Sequence, residues 1–311
     1  IYGIFGGFAQ NFAYSACLSN TLRFFPDKKG LASGLITGGM GGAAIIAAPI
    51  ANALIERYGV SQAFWRMGLA YALVGFFFSL FIRSAPKQIV PQTAATSEKA
   101  PTKAITANKN WKEMLATPAF YLLILMFAMG AFSGLMIASN ASLIGQSMFG
   151  LSASAAAAYV SLYSLSNTSG RVFWGAVSDR IGQIRAVIII YSAIIFAFVL
   201  LVSVNQVWAF AVGIVTLGLC FGGVMGVFPG LVMDNFGPAN QGVNYGIVFI
   251  GFSSAAFVAP KVTASLAAAN NGDFTKAFYV AIAVVLIGLG LSLVYAKRKA
   301  DAVEAAVETI Q

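Results

Sequence analysis

The chain has 311 residues, of which 59% are hydrophobic and only 9% charged, with a mean hydropathy of +0.82. An ordinary soluble domain carries about 25% charged residues, so a water-soluble globular protein is excluded. The net charge of +9 does not make a nucleic-acid binder either, because the bases sit in short gaps between long runs that could not be solvated.

Apolar runs of ~17–25 residues, the length that crosses a bilayer, predict nine helices. They cover roughly residues 1–22, 31–54, 64–82, 120–143, 153–177, 186–204, 207–232, 243–264 and 277–296. Runs such as 187–202 are apolar on every side, whereas barrel strands alternate over about ten residues. The fold class expected is therefore an all-α polytopic membrane protein. The first residue, Ile1, already lies in a hydrophobic stretch with no Met and no basic n-region, which reads as a fragment and not as a signal peptide.

Basic residues set the expected orientation. One set of loops holds Arg23, Lys28 and Lys29, then Arg83, Lys87, Lys99, Lys103, Lys109 and Lys112, then Arg180 and Arg185, then Lys297, Arg298 and Lys299. The alternate loops hold only Arg57, Arg66 and Lys276. The base-rich side is expected to face the cytoplasm, with Ile1 outside and the C-terminus inside, in a bacterial inner membrane. The connection rich in Pro, Thr, Ala and Lys after the third helix has the composition of a flexible linker.

An internal repeat explains why three helices precede that linker and six follow it. Gly30, Gly34 and Ala48-Pro49 recur as Gly242, Gly246 and Ala259-Pro260, and Gln62-Ala63-Phe64-Trp65 recurs as Lys276-Ala277-Phe278-Tyr279. Parallel repeats on either side of a linker are an established transporter layout. The expected division is 1–84 for the last three helices of a first half, 85–118 for the linker, 119–296 for a complete six-helix half and 297–311 for a tail. Nine of an expected twelve helices would then be present.

Chemistry concentrates around the fifth helix. Its end reads Gly175-Ala-Val-Ser-Asp179-Arg180-Ile-Gly182-Gln-Ile-Arg185, in which a carboxylate and guanidinium can latch neighbouring helices and glycines permit close approach. A solvated loop is the bland alternative, but the full spacing resembles the signature loop of the major facilitator superfamily. That loop lies between the second and third helices of each half, the place this one occupies. The resemblance implies a major facilitator-type helical bundle.

Three further stretches are Arg23-Phe-Phe-Pro26-Asp-Lys-Lys-Gly30-Leu-Ala-Ser-Gly34, Ser166-Asn167-Thr-Ser-Gly170-Arg171, and Phe228-Pro229-Gly-Leu-Val-Met-Asp234-Asn-Phe236-Gly with Asn244-Tyr245-Gly246. Together they resemble the oxalate:formate antiporter family, relatives of the monocarboxylate transporters.

Arg171 is the only charge well inside a predicted span, where an unpaired charge costs at least ~2.5–3.5 kcal/mol. Ser164, Asn167, Thr168 and Arg171 form one polar stripe at helical spacing. No acid falls within any predicted span to neutralise Arg171, so an anionic ligand is its natural partner; an arginine snorkelling to the base-rich face is the competing reading. The resemblance implies the ligand role, since related carriers bind substrate carboxylate through an arginine four residues before the loop glycine, here Gly175. It also implies a pocket tyrosine at Tyr14 and a second cation where this chain has Phe252 or Ser253, a departure that favours one carboxylate over two. In the proton-coupled relatives an aspartate stands where this chain has Asn167, which cannot titrate. Lys261 lies near the outer end of its helix, either as a rim lysine or as a displaced second cation.

The expected function is secondary transport of small organic anions, monocarboxylates such as formate, lactate or pyruvate, with exchange favoured. The rivals are a proton-coupled carboxylate symporter, a carrier of neutral solutes and a carboxylate sensor. No enzyme is expected, because no span holds an acid–base or nucleophilic arrangement. Expected partners are a small carboxylate and the lipid bilayer, without nucleic acid and with the monomer as the functional unit. No cofactor and no metal are expected: histidine is absent, and the two cysteines, Cys17 and Cys220, lie inside apolar runs.

Overall fold

The computed structural model describes residues 6–85 and 108–308. Helices follow one another with short connections: α1 (Gly7–Phe24), a 3-10 turn (Pro26–Lys28), α2 (Lys29–Ser79), α3 (Trp111–Leu115), α4 (Pro118–Phe149), α5 (Ala153–Ile181), α6 (Gln183–Ser203), α7 (Val207–Phe236), α8 (Gln241–Ala268) and α9 (Thr275–Glu308). Among the described residues there is no strand. Five helices, α4 and α6 to α9, are long and apolar enough to cross a membrane by length and composition.

The long run α2 is two helices. Gly59 interrupts it at φ 76° and ψ 166°, a backbone region essentially reserved for glycine. The chain reverses there. Arg66 lies over the Tyr58 ring at 3.4 Å, although residues eight apart on one straight helix would be separated by ~12 Å. At the far end, Asn20 on α1 donates to the Arg83 carbonyl (2.9 Å) and accepts from the Ala85 amide (2.8 Å). Both ends of the hairpin therefore return to the base-rich face. Its second arm presents Trp65, Phe76 and Phe81 at 67–69% exposure, an apolar face suited to lipid and not to water.

α5 packs chiefly on α7 and on the first arm of α2; α4 packs on α8, α7 and α9, and α6 on α7 and α9. α7 is consequently enclosed, with every residue from Cys220 to Met233 buried. Two buried phenols find backbone acceptors, as membrane interiors demand: Tyr191 donates to Met126 O (2.5 Å) and Tyr163 to Gly134 O (2.7 Å).

Most of the expected linker, residues 86–107, lies outside the described residues. Its last part is clamped to the α7–α8 connection. Lys109 N donates to Phe236 O (2.9 Å), and the Lys109 carbonyl accepts from both Asn240 and Asn244 side chains (3.1 and 2.9 Å). α3 then starts from a capping box between Asn110 and Glu113. At the other end, α9 stays helical through the segment expected as a tail, as far as Glu308.

Candidate functional site

Tyr14 and Arg171 each stand ten residues before the base-rich ends of their helices, at Phe24 and Ile181. At a rise of ~1.5 Å per residue both lie ~15 Å in, about half of a ~30 Å hydrocarbon layer. Arg171 is 7% exposed. Its Nε donates to Asn167 Oδ1 on the same helix (3.2 Å), and its Nη1 donates to the backbone carbonyl of Thr37 on α2 (2.6 Å). Among the described residues no carboxylate pairs with it and Nη2 donates to no protein acceptor. The buried guanidinium thus keeps donors in hand well inside its helix.

Glycines fix the backbone beneath it. A Cβ on Gly34 of α2 would strike the Arg171 carbonyl from one side, and a Cβ on Gly226 of α7 would strike it from the other. Gly38 and Gly42 continue the α2 stripe against Val172 and Thr168, the close packing that their four-residue spacing permits.

The phenols of Tyr14, Tyr245 and Tyr163 lie within electrostatic reach of Arg171. The Tyr14 and Tyr245 hydroxyls face each other at 3.5 Å. These two tyrosines form the wall of a cavity of about 520 Å³ between α1 and α8, lined also by Asn11, Ser15, Phe249 and Ser253. Ser253 is exposed there, but Phe252 is turned among Phe249, Phe127 and Phe221, at ring separations of 4.7–6.4 Å. Arg171 and Asn167 do not line this cavity. Lys261 is exposed ~30 Å along α8 from Gln241, over the Phe257 ring at 3.7 Å. It lies far from the Arg171 cluster.

The loop motif forms a second centre at the base-rich face. The N-terminus of α2 has no side-chain cap of its own. Asp179, at the end of α5, supplies one: its two carboxylate oxygens accept from the amides of Gly30 (2.7 Å) and Leu31 (2.8 Å). These are orphan donors at the positive end of a helix, the place where an anion is most stabilising. Gly30 and Gly175 make the approach possible, since a Cβ on either would collide with the other's carbonyl. Gly182 lets α5 turn into α6 at φ 90°. Arg180 and Arg185 are exposed, and among the described residues neither has a hydrogen-bond acceptor.

Two more contacts tie α1 to the α7–α8 connection and α2 to α7 at this face. Arg23 donates to the carbonyls of Pro238 and Ala239 (3.1 and 2.6 Å), and Lys29 pairs with Asp234 at 2.5 Å. The Lys29–Asp234 side chains are only 19% and 12% exposed, so the pair is more than a solvated surface contact. Lys29→Met and Asp234→Asn should each lower the thermal stability of the detergent-solubilised protein, and the double variant should be no worse than the worse single one. A double-mutant cycle should give ~1–3 kcal/mol of coupling; additive losses would mean that the ion pair is not the shared cause.

A family model described as Major Facilitator Superfamily matches residues 1–260 and, in an overlapping second match, residues 172–309. The chain belongs to the Major Facilitator Superfamily. It is an integral membrane protein of that family. It is 33% identical over 252 residues to an uncharacterized MFS-type transporter of Escherichia coli, YhjX, covering 80% of this chain and 60% of that protein. It is 27% identical over 288 residues to the oxalate:formate antiporter of Oxalobacter formigenes, covering 92% and 66%. It is 23% identical over 312 residues to apicoplast pyruvate carrier 1 of Toxoplasma gondii, covering 80% and 56%. The chain thus spans between 56% and 66% of the length of these curated relatives.

Within this superfamily fold, three groups near Arg171 escaped the sequence reading. Tyr245 stood in a quoted motif, but nothing local to α8 says that it faces Tyr14. The Thr37 carbonyl carries no side-chain signal. Gly41, which lies against the guanidinium, falls outside the Gly34, Gly38 and Gly42 stripe of α2.

Proposed function

We propose that the chain forms part of a secondary transporter of small organic anions, monocarboxylates of the size of formate, lactate or pyruvate. Transport is by alternating access, with anion exchange in preference to proton symport. The observation that carries this reading is Arg171, a buried guanidinium at mid-depth with Nη2 unengaged and no carboxylate partner among the described residues. A planar carboxylate is the ligand whose geometry matches the guanidinium fork. In this reading Asn167 orients the guanidinium from one turn away, the Tyr14 hydroxyl donates to the same anion, and Ser253, with Phe252 behind it, shapes the α8 side. The names of two relatives, an oxalate:formate antiporter and a pyruvate carrier, support the same substrate class.

In this reading residues 1–84 belong to one half and 119–296 to the other, with 85–118 between them and 297–311 after them. The base-rich face is cytoplasmic, in an inner membrane. The contacts of Asp179, Lys29 and Arg23 at that face are the inward-side latch.

Exchange follows from charge. An empty carrier moves the bare Arg171 cation through its occluded state, whereas a loaded one moves a compensated pair, and Asn167 offers no proton. In proteoliposomes holding the full-length carrier, counterflow of a short carboxylate should exceed net uptake into anion-free vesicles. Accumulation driven by a pH gradient alone, with no internal anion, would overturn the exchange reading.

A further inference from the structure

Gly41 lies one helical turn after Thr37 on α2. A Cβ built on it would stand 3.0 Å from Arg171 Cζ, 3.2 Å from Nε and 3.3 Å from Nη2. Cζ is the nearest of the three, so the missing methyl would sit over the flat face of the guanidinium and not at its edge. An approach along the edge would bring the nitrogens closer than the carbon. The planar head therefore lies against bare helix backbone, while its in-plane N–H groups point to Thr37 O (Nη1) and Asn167 Oδ1 (Nε). The next glycine in the chain behaves differently from Gly41: it meets only the Thr168 methyl, at 3.3 Å, and Gly39 meets nothing within 4 Å.

We propose that Gly41 and the Thr37 carbonyl form a seat on α2 that holds the Arg171 guanidinium flat and so sets the direction in which Nη2 meets a carboxylate. Gly41 is then a positioning residue for anion binding, although it offers no polar side chain. The seat also means that the anion-binding cation of α5 is aimed by a helix from the other side of the repeat. One of the two Nη1 N–H groups is held by the Thr37 carbonyl, which fixes the direction of the other and of Nη2. The proposal rests on the reading of Arg171 as the anion anchor, and its test separates the two.

Gly41→Ala adds one methyl over the guanidinium face. Because binding groups must be held within about 0.5 Å of their productive positions, the apparent KM for counterflow should rise by about tenfold or more, with a smaller change in maximal rate. Gly39→Ala, on the same helix with open space around it, should match the parent. Modification by phenylglyoxal in the absence of any anion, read at Arg171 by peptide mass spectrometry, should be several-fold faster in Gly41→Ala, because the head is lifted from its seat. In an Arg171→Ala background there is no head to displace, so Gly41→Ala should leave thermal stability and membrane insertion unchanged. Unaltered KM and phenylglyoxal rate in Gly41→Ala would overturn the seat. So would an equal loss of stability in both backgrounds, which would make Gly41 a helix-packing residue. Intact transport in Arg171→Gln sinks the anchor reading instead, and leaves the seat to be judged by the phenylglyoxal rate.

Discussion

Replacing Arg171 by Gln is expected to abolish counterflow of short carboxylates while the protein still inserts and folds. The guanidinium is buried, and its two intramolecular bonds are to neutral oxygens, Asn167 Oδ1 and the Thr37 carbonyl, so no charge paired with it among the described residues substitutes for it. Removing one member of a buried, hydrogen-bonded charge pair costs ~2–5 kcal/mol, and ~3 kcal/mol is already about a hundredfold in affinity. Arg171→Lys keeps the charge but loses the planar fork, the bond to Thr37 and the face that lies on Gly41. It should recover only a minor part of the activity. Counterflow of labelled formate, lactate and pyruvate, with insertion checked by size-exclusion profile, reads the result. Retained anion counterflow in a well-inserted Arg171→Gln variant would leave Arg171 with a structural task and favour a neutral solute.

Asp179→Asn is expected to slow maximal exchange by about tenfold or more while substrate affinity stays nearly intact. The carboxylate accepts from two amides at the start of α2. Charge-assisted bonds of this kind contribute ~1.5–3 kcal/mol each. Asparagine has one acceptor oxygen in place of two, and its amide hydrogens would face the positive end of the helix. The form closed at the base-rich face therefore loses a few kcal/mol against the form open there, and a shift of ~3 kcal/mol changes a two-state ratio by about a hundredfold. Fewer carriers then complete each cycle. Affinity is spared because Asp179 lies eight residues beyond Arg171, ~12 Å along α5. Initial exchange rates over a range of substrate concentrations separate the two parameters. A pure loss of affinity at unchanged maximal rate would argue against a conformational role for Asp179.

The distinction between these two residues was partly legible before any coordinates. The loop from Gly175 to Arg185 carries its spacing in one continuous stretch, and Arg171 stands out because nothing else charged lies deep in a span. Arg180 and Asp179 looked equivalent as neighbours in that loop. Only the folded chain separates them, because α5 ends with Asp179 turned to α2 while Arg180 is exposed. Phe252 and Ser253 show the same limit. They are adjacent in sequence and equally fit to fill one position, yet the helical rotation of ~100° between them sends one into a cluster of rings and the other to the cavity.

The membrane class, the helices and their order, the candidate anion-binding cation and the loop motif were all determined by the sequence alone, because each depends on composition or on spacing within one segment. A run too apolar for water and too long for a strand has to be a helix in lipid, whatever packs beside it. The tertiary structure decided what each of those residues faces. It set the Thr37 carbonyl and Gly41 against the Arg171 guanidinium, Tyr245 against Tyr14, and the orphan amides of Gly30 and Leu31 against Asp179. These partners come from helices far apart in the chain, and all but the tyrosine are bare backbone, which looks alike at every residue. Helical periodicity says which residues share a face. Which face meets which is set by how glycine-lined helices cross, and that is a property of the packed bundle.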